Sequence, residues 1–271
     1  MAYSTLKLEI NNEIAALTLA RPESRNAISA EMMGELQSAL NEIESGAARV
    51  VIMTGAGKDF CAGMDLSGLK TVAASAKQNS ETSGSDATDA NTENARRVAA
   101  MFRRFYEFPK PLIAAVHGHA LAGGCGLAML CDFTLAVPEA RFGFTEVRVG
   151  FMPALIAAFV IREIGEKQAR NLLLSGRIFG AEEARRIGLV TEIVPLEQLQ
   201  ARTMEIAAQC LALSSTALGY TKRLISDFTR AQLDRDIELA VEWSARIRST
   251  QDFQEGLSAF LEKRVPRWTG R

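Results

Sequence analysis

Three stretches of this chain carry residue types that together could move a proton next to a polarised carbonyl. Phe60-Cys61-Ala62-Gly63-Met64-Asp65-Leu66 and His119-Ala120-Leu121-Ala122-Gly123-Gly124-Cys125-Gly126-Leu127 can each aim a backbone N–H at one oxygen, and Phe142-Gly143-Phe144-Thr145-Glu146 offers a carboxylate. Two preorganised donors lower the barrier to an enolate by about 3 to 4 kcal/mol each, and a carboxyl group within reach can then take or return the proton. Glu146 is the candidate acid/base, because a carboxyl near Phe142, Phe144 and Phe151 has its charged form disfavoured. A surface ion pair with Arg148 is the plainer alternative. The run from Ala122 to Gly126 also reads as tight packing of a helix start on a strand, which needs no ligand.

Other reactive types are present without the partners that chemistry needs. His117 and His119 flank a strand end, where histidines commonly serve as hydrogen-bonding groups of a turn. Cys61 and Cys125 have no adjacent His-plus-acid pattern to make a nucleophilic thiolate. The four cysteines form no C-x-x-C pair, so neither a disulfide framework nor a metal site is expected. No Walker-type Gly-Lys-Ser/Thr or dinucleotide fingerprint occurs, which removes support for nucleotide hydrolysis and hydride transfer.

The elements that must position these groups can be read from periodicity. Residues 6–10 and 14–19 alternate around Asn11-Asn12 and predict a hairpin. Ser29 can cap a helix carrying Met32, Met33, Leu36, Leu40 and Ile43, with Gly46 as its stop. Residues 49–54 predict a buried strand whose loop leads to Met64. A second strand-loop-helix unit follows, with residues 112–116 as strand, 117–123 as turn and 124–130 as helix. The repetition predicts an α/β fold with a parallel sheet and helical crossovers, and ligands in such folds sit in the loops after strands. Residues 71–94 are nearly free of large apolar side chains and predict a loop or weak helix inserted in the domain. From 181 onward the pattern is helical: 181–187, 196–213, 215–230, 233–249 and 251–264. We therefore expect a core over 1–195 and a helical region over 196–271 whose apolar faces need another subunit.

Composition sets the outer bounds. A chain of 271 residues, 48% hydrophobic and 23% charged, can bury a full core. Thirty-one Lys and Arg against 32 Asp and Glu give a formal charge of -1, so no basic field argues for a nucleic-acid partner. The N-terminus lacks a secretion-signal pattern, and no uncharged apolar run reaches roughly 18 residues. A soluble, cytoplasmic protein without membrane partners is expected.

Together the three stretches resemble the crotonase, or enoyl-CoA hydratase/isomerase, superfamily. Arg21 to Ile28, Pro109 to Val116, Ala184 to Val190 and Glu255 to Arg264 extend the likeness over almost the whole chain. The resemblance implies a crotonase (ClpP-like) fold with repeated ββα units and a helical C-terminal trimerisation region, assembled as a homotrimer or a hexamer made of two trimers. It implies an acyl-CoA thioester as substrate, with coenzyme A arriving as part of it and no separate cofactor. The oxyanion donors become the backbone amides of Met64 and Gly123, and Glu146 the acid/base. Arg25, Ala27, Ala62, Asp65 and Leu66 are implied around the CoA moiety. Phe260 and Lys263 would reach it from a C-terminal helix of a neighbouring subunit, although alone they read as a core aromatic and a solvated cation. One departure stands out: the best-known hydratases carry a second glutamate three residues after the oxyanion glycine, and here that residue is Gly126. The expected reaction is hydration of a 2-enoyl-CoA to a 3-hydroxyacyl-CoA by a single glutamate. The alternatives are enoyl-CoA isomerisation or CoA binding without catalysis.

Overall fold

The computed structural model describes residues 3–66 and 84–271, with the backbone alone over 84–89. The predicted hairpin forms: β1 (Leu6–Asn11) and β2 (Ile14–Leu19) pair antiparallel across left-handed Asn12 and Glu13. Four more strands extend that sheet in parallel, namely β3 (Val50–Gly55), β4 (Leu112–Val116), β6 (Phe133–Ala136) and β9 (Glu192–Ile193), in the order β1-β2-β3-β4-β6-β9. All five residues of β4 are buried, as expected of a strand covered on both faces. The first crossover is α1 (Ala30–Ser45), where the Ser29 hydroxyl accepts from the Met32 N–H at 3.1 Å and Met32, Leu36, Leu40 and Ile43 turn inward.

Two elements differ from their sequence reading. Residues 117–123 are not only a turn: His119–Leu121 form β5, which pairs in parallel with β7 (Arg141–Gly143), itself antiparallel to β8 (Phe179–Gly180). Three residues carry too little local preference to announce a strand, and the partner that fixes them is distant in sequence. The helical alternative for the irregular stretch holds over residues 84–94, which open α2 (Gly84–Tyr106), while 67–83 lie outside the described residues. The two helices expected over 215–249 are one, α7 (Ser215–Ile247). Ala231 and Gln232 are good helix formers, and Gln232 bridges to Asp236 one turn on at 2.7 Å.

The remaining helices close the structure around the sheets. They are α3 (Gly123–Met129), α4 (Ala154–Ser175), α5 (Ala181–Arg186), α6 (Leu196–Leu211) and α8 (Gln251–Leu261). α6 rests on β3, β4 and β6, and α7 lies against α2 and α4. α8 packs on the short 3₁₀ turn Glu146–Val149.

One buried polar side chain ties the loop after β2 to the loop after β3. Asn26 is fully buried in a left-handed conformation that asparagine tolerates. Its amide donates to the carbonyls of Ala56 at 2.9 Å and Asp59 at 2.8 Å, and its side-chain oxygen accepts from the Arg21 N–H at 2.9 Å. Asn26→Ala should lower the unfolding free energy by about 2 to 4 kcal/mol, because three backbone groups lose buried partners. Urea denaturation measures this, and a change below about 0.5 kcal/mol would show that the loops hold each other without the side chain.

Candidate active site

The two turns with the predicted donors are stitched together by backbone hydrogen bonds. Cys61 donates to the His119 carbonyl at 3.0 Å and accepts from the Leu121 N–H at 2.9 Å, while the Ala122 N–H donates to the Gly143 carbonyl at 2.7 Å. The segment ending in Met64, the segment ending in Gly123 and the strand leading to Glu146 therefore run side by side. Among the described residues, neither the Met64 nor the Gly123 amide has an acceptor. The Met64 side chain lies over Gly123: a Cβ on that glycine would sit 3.5 Å from Met64 Sδ.

Close approach explains the small residues here. Gly63 has φ +100°, and a Cβ on it would fall 2.8 Å from Ala122 Cβ and 2.9 Å from the Leu121 carbonyl oxygen. A Cβ on Gly124 would fall 2.3 Å from the Cys61 carbonyl oxygen. Ala122 itself holds φ 48° and ψ -123°, a strained conformation for a residue with a side chain, directly before the Gly123 amide. The packing and oxyanion readings of this run are thus compatible, since the contact that demands glycine also brings the two amides together.

Glu146 opens the 3₁₀ turn three residues beyond β7. Phe142 and Phe144 are fully buried beside it in sequence, and its Oε2 is buried with no hydrogen-bond partner. Burial pushes its carboxyl up from 4.5 to about 7, with its own backbone N–H acting weakly the other way. The alternative pairing with Arg148 is not formed, and Arg148 points to solvent. Such an acid divides its population between both protonation states near neutrality, as a proton-transfer group requires.

Gly126 lies on the buried face of α3. A Cβ there would sit 2.7 Å from Ile156 Cδ1 and 3.2 Å from Phe102 Cε1, so apolar side chains fill the space into which a second carboxylate would grow. No carboxylate stands at that position.

The residues implied around CoA come together in part. The Ala62 N–H donates to the Arg25 carbonyl at 2.9 Å and the Asp65 N–H to the Ile28 carbonyl at 3.0 Å, which places Arg25, Ala27, Ala62, Asp65 and Leu66 along one edge beside Met64. Asp65 pairs with Arg21 at 3.0 Å, and Arg21 also donates to the Ala27 carbonyl at 2.6 Å, so Asp65 fixes the loop. Phe260 is 56% exposed on α8, which corrects its reading as a core aromatic. Lys263 follows at φ 54°. Among the described residues no hydrogen bond or ion pair ties either to the 25–66 edge.

A group that sequence reasoning missed is Asp59. It accepts from Arg25 Nε at 2.8 Å, from the His119 backbone N–H at 3.0 Å, and meets His119 Nδ1 at 2.7 Å. Burial opposes its charge, but the hydrogen bonds from Arg25 and His119 outweigh it and hold the carboxyl below the ordinary range. Arg25, half exposed, is thereby held in place. The histidines are structural, as the plainer reading had it: His117 Nε2 meets the Gly57 carbonyl at 3.1 Å. Burial pushes the Cys61 thiol up to about 12 and raises Cys125 further, which removes both as nucleophiles at neutral pH.

Comparison with known proteins decides the assignment. The enoyl-CoA hydratase/isomerase family matches over residues 9–271. The chain belongs to this family. A Thermus thermophilus relative, provisionally named an enoyl-CoA hydratase, is 39% identical over 94% of this chain and 97% of its own. A crotonyl-CoA hydratase of Syntrophomonas wolfei is 33% identical over 97% of each chain. A crystal structure of an enoyl-CoA hydratase from Mycobacterium avium superposes with a TM-score of 0.83 at 32% identity, covering 98% of this chain and 99% of that one. The fold is that of the crotonases, as the sequence motifs implied.

Two outcomes test the site. Gly63→Ala should pry the two turns apart and lower kcat/KM on an acyl-CoA by roughly 100-fold; retained activity would show the donors are not set by this contact. Glu146→Gln removes a group whose pKa is raised on folding, a contribution to stability that is full below about 4.5 and lost as pH rises through about 7. Relative to wild type, the variant should gain thermal stability between pH 5 and pH 8, and a pH-independent difference in Tm would contradict the buried state of the acid.

Proposed function

We propose that this chain catalyses the reversible addition of water to a 2-enoyl-CoA. The observation that carries the reading is the convergence of two amides, on Met64 and Gly123, beside one buried carboxyl group, with neither amide nor the Glu146 Oε2 hydrogen-bonded to a partner among the described residues. The thioester oxygen lies between the two N–H groups. Glu146, as carboxylate, takes a proton from water while the hydroxyl oxygen bonds to the β-carbon, and the π electrons move onto the thioester oxygen as an enolate. The enolate then collapses, and Glu146 returns the proton to the α-carbon. Arg25, oriented by Asp59, offers a forked cation to a CoA phosphate.

One observation favours a second reading. With Ile156 and Phe102 filling the space beside Gly126, no second carboxylate positions the water from that side, whereas moving a proton between the α- and γ-carbons of a 3-enoyl-CoA needs only one. Both reactions use the same oxyanion donors. Incubation with crotonyl-CoA and with a 3-enoyl-CoA, followed by mass analysis, separates them: 3-hydroxybutyryl-CoA from the first is expected, and formation of 2-enoyl product alone from the second would replace hydration by isomerisation.

The assembly we propose is a homotrimer or two stacked trimers, supported by Tyr220, Leu224 and Phe228, which stand 55 to 75% exposed one turn apart on α7. Among the described residues no helix is long and apolar enough to cross a membrane; the cytoplasmic location we propose is supported instead by four scattered cysteines with no disulfide-framework spacing.

Glu146→Gln should reduce turnover by roughly 100-fold or more while leaving affinity for a saturated acyl-CoA within a few-fold. The wild-type log kcat/KM should fall with unit slope below an apparent pKa of about 7, because the resting acid must be ionised. A profile flat from pH 5 to 8 would move the acid/base elsewhere.

A further inference from the structure

Arg248, the residue that closes α7, extends its side chain between α2 and the loop that follows Glu146. Its guanidinium carbon lies 5.4 Å from the ring centroid of Phe151, whose other neighbour is the ring of Phe253 on α8 at 5.3 Å. The Phe151 N–H donates to the Glu146 carbonyl at 3.1 Å, so the ring beneath the guanidinium is tied by the main chain to the acid/base residue. On the α2 side, Nη1 donates to the Asn91 carbonyl at 3.3 Å. With the Asn94 amide oriented to suit the guanidinium, its oxygen accepts from Nη1 at 2.9 Å and from Nη2 at 3.1 Å.

Every one of these acceptors is neutral. Among the described residues no carboxylate pairs with Arg248, and its Nε is buried without an acceptor. Burial alone lowers the guanidinium to about 10, leaving it cationic at neutral pH. Arginine is rarely buried in this way, because a desolvated cation needs an anion or a full set of acceptors.

The geometry of the guanidinium identifies which anion fits. Both Nη1 hydrogens and the inner Nη2 hydrogen are engaged by Asn91 and Asn94. The Nε–H and the outer Nη2–H remain, and these two point the same way along one edge, at the separation of the two oxygens of a carboxylate. We infer that this site takes acyl thioesters whose chain ends in a carboxylate, which makes a two-pronged ion pair with the Nε and Nη2 of Arg248. Phe151, partly exposed beside the guanidinium, supplies apolar surface for the methylene stem. A methyl-ended chain of the same length would leave the buried Nε–H unmet, and this is the kind of difference that gives strong discrimination.

The inference rests on the acyl-CoA reading of the site and deepens it. Saturated CoA thioesters test it without depending on turnover. Calorimetric affinities of the wild-type protein would be measured for dicarboxylic acyl-CoAs from succinyl- to suberyl-CoA and for straight-chain acyl-CoAs of equal carbon number. At least one dicarboxylic member should bind about 10-fold or more tightly than its neutral counterpart, as expected of a charge-assisted pair. In Arg248→Lys and Arg248→Met that preference should shrink to within about 3-fold. Equal affinities across the wild-type series, or a preference that survives in both variants, would overturn the inference while leaving the hydratase reading intact. Failure of every thioester to bind would overturn that reading and this inference with it.

Discussion

Two backbone hydrogen bonds, from Leu121 to Cys61 and from Ala122 to Gly143, set the distances on which the chemistry depends. They join three segments that are far apart in sequence into one short stretch of sheet. An amide hydrogen from each of two turns can therefore face one oxygen, with a carboxyl group three residues further along the third segment. Glycine at 63 and 124 is what lets the turns come within bonding distance. Asn26 and Asp59 act behind this arrangement, one holding the loops and the other holding Arg25 at their edge. The site is thus positioned mainly by main-chain contacts, which change little when side chains around the pocket vary.

Three ionisable groups near this framework show how partners decide the use of a charge. Asp59 and Glu146 are both withdrawn from water, yet Asp59 meets Arg25 and His119 and stays ionised, whereas Glu146 meets no cation and rises to about 7. The first is held in one state and serves structure; the second can take up or release a proton near neutrality. Arg248 is a third case, withdrawn from water with neutral acceptors only. Environments that drive like groups apart in pKa are a physical signature of divided roles.

Much of this was legible from the residues alone. The hairpin, the first helix with its Ser29 cap and the buried strand β4 follow from local pattern, and the resemblance of the three motif segments to the crotonase family implied Met64, Gly123 and Glu146 before any contact was known. What the sequence could not announce was non-local. β5 is three residues long and exists because Cys61 and β7 flank it. Asp59 sits in an unremarked Lys58-Asp59-Phe60 run, and only the folded loops bring Arg25 and His119 to it. The joining of residues 215–247 into one helix was legible in principle, since no breaker separates Arg230 from Leu233, but amphipathic periodicity there is shallow because α7 turns different faces to α2, α4 and solvent.

Ala122 carries a consequence of its own. Reflected through a mirror, its φ of 48° and ψ of -123° become values that an L-residue adopts freely in an extended chain. A short peptide excised around Ala122 would therefore settle into the opposite hand and aim the next amide elsewhere. Anion-binding geometry at Gly123 is accordingly a cooperative property, absent from the local chain and present only when the surrounding sheet has formed. Oxyanion recognition in this molecule should appear and vanish with global folding rather than persist in any fragment.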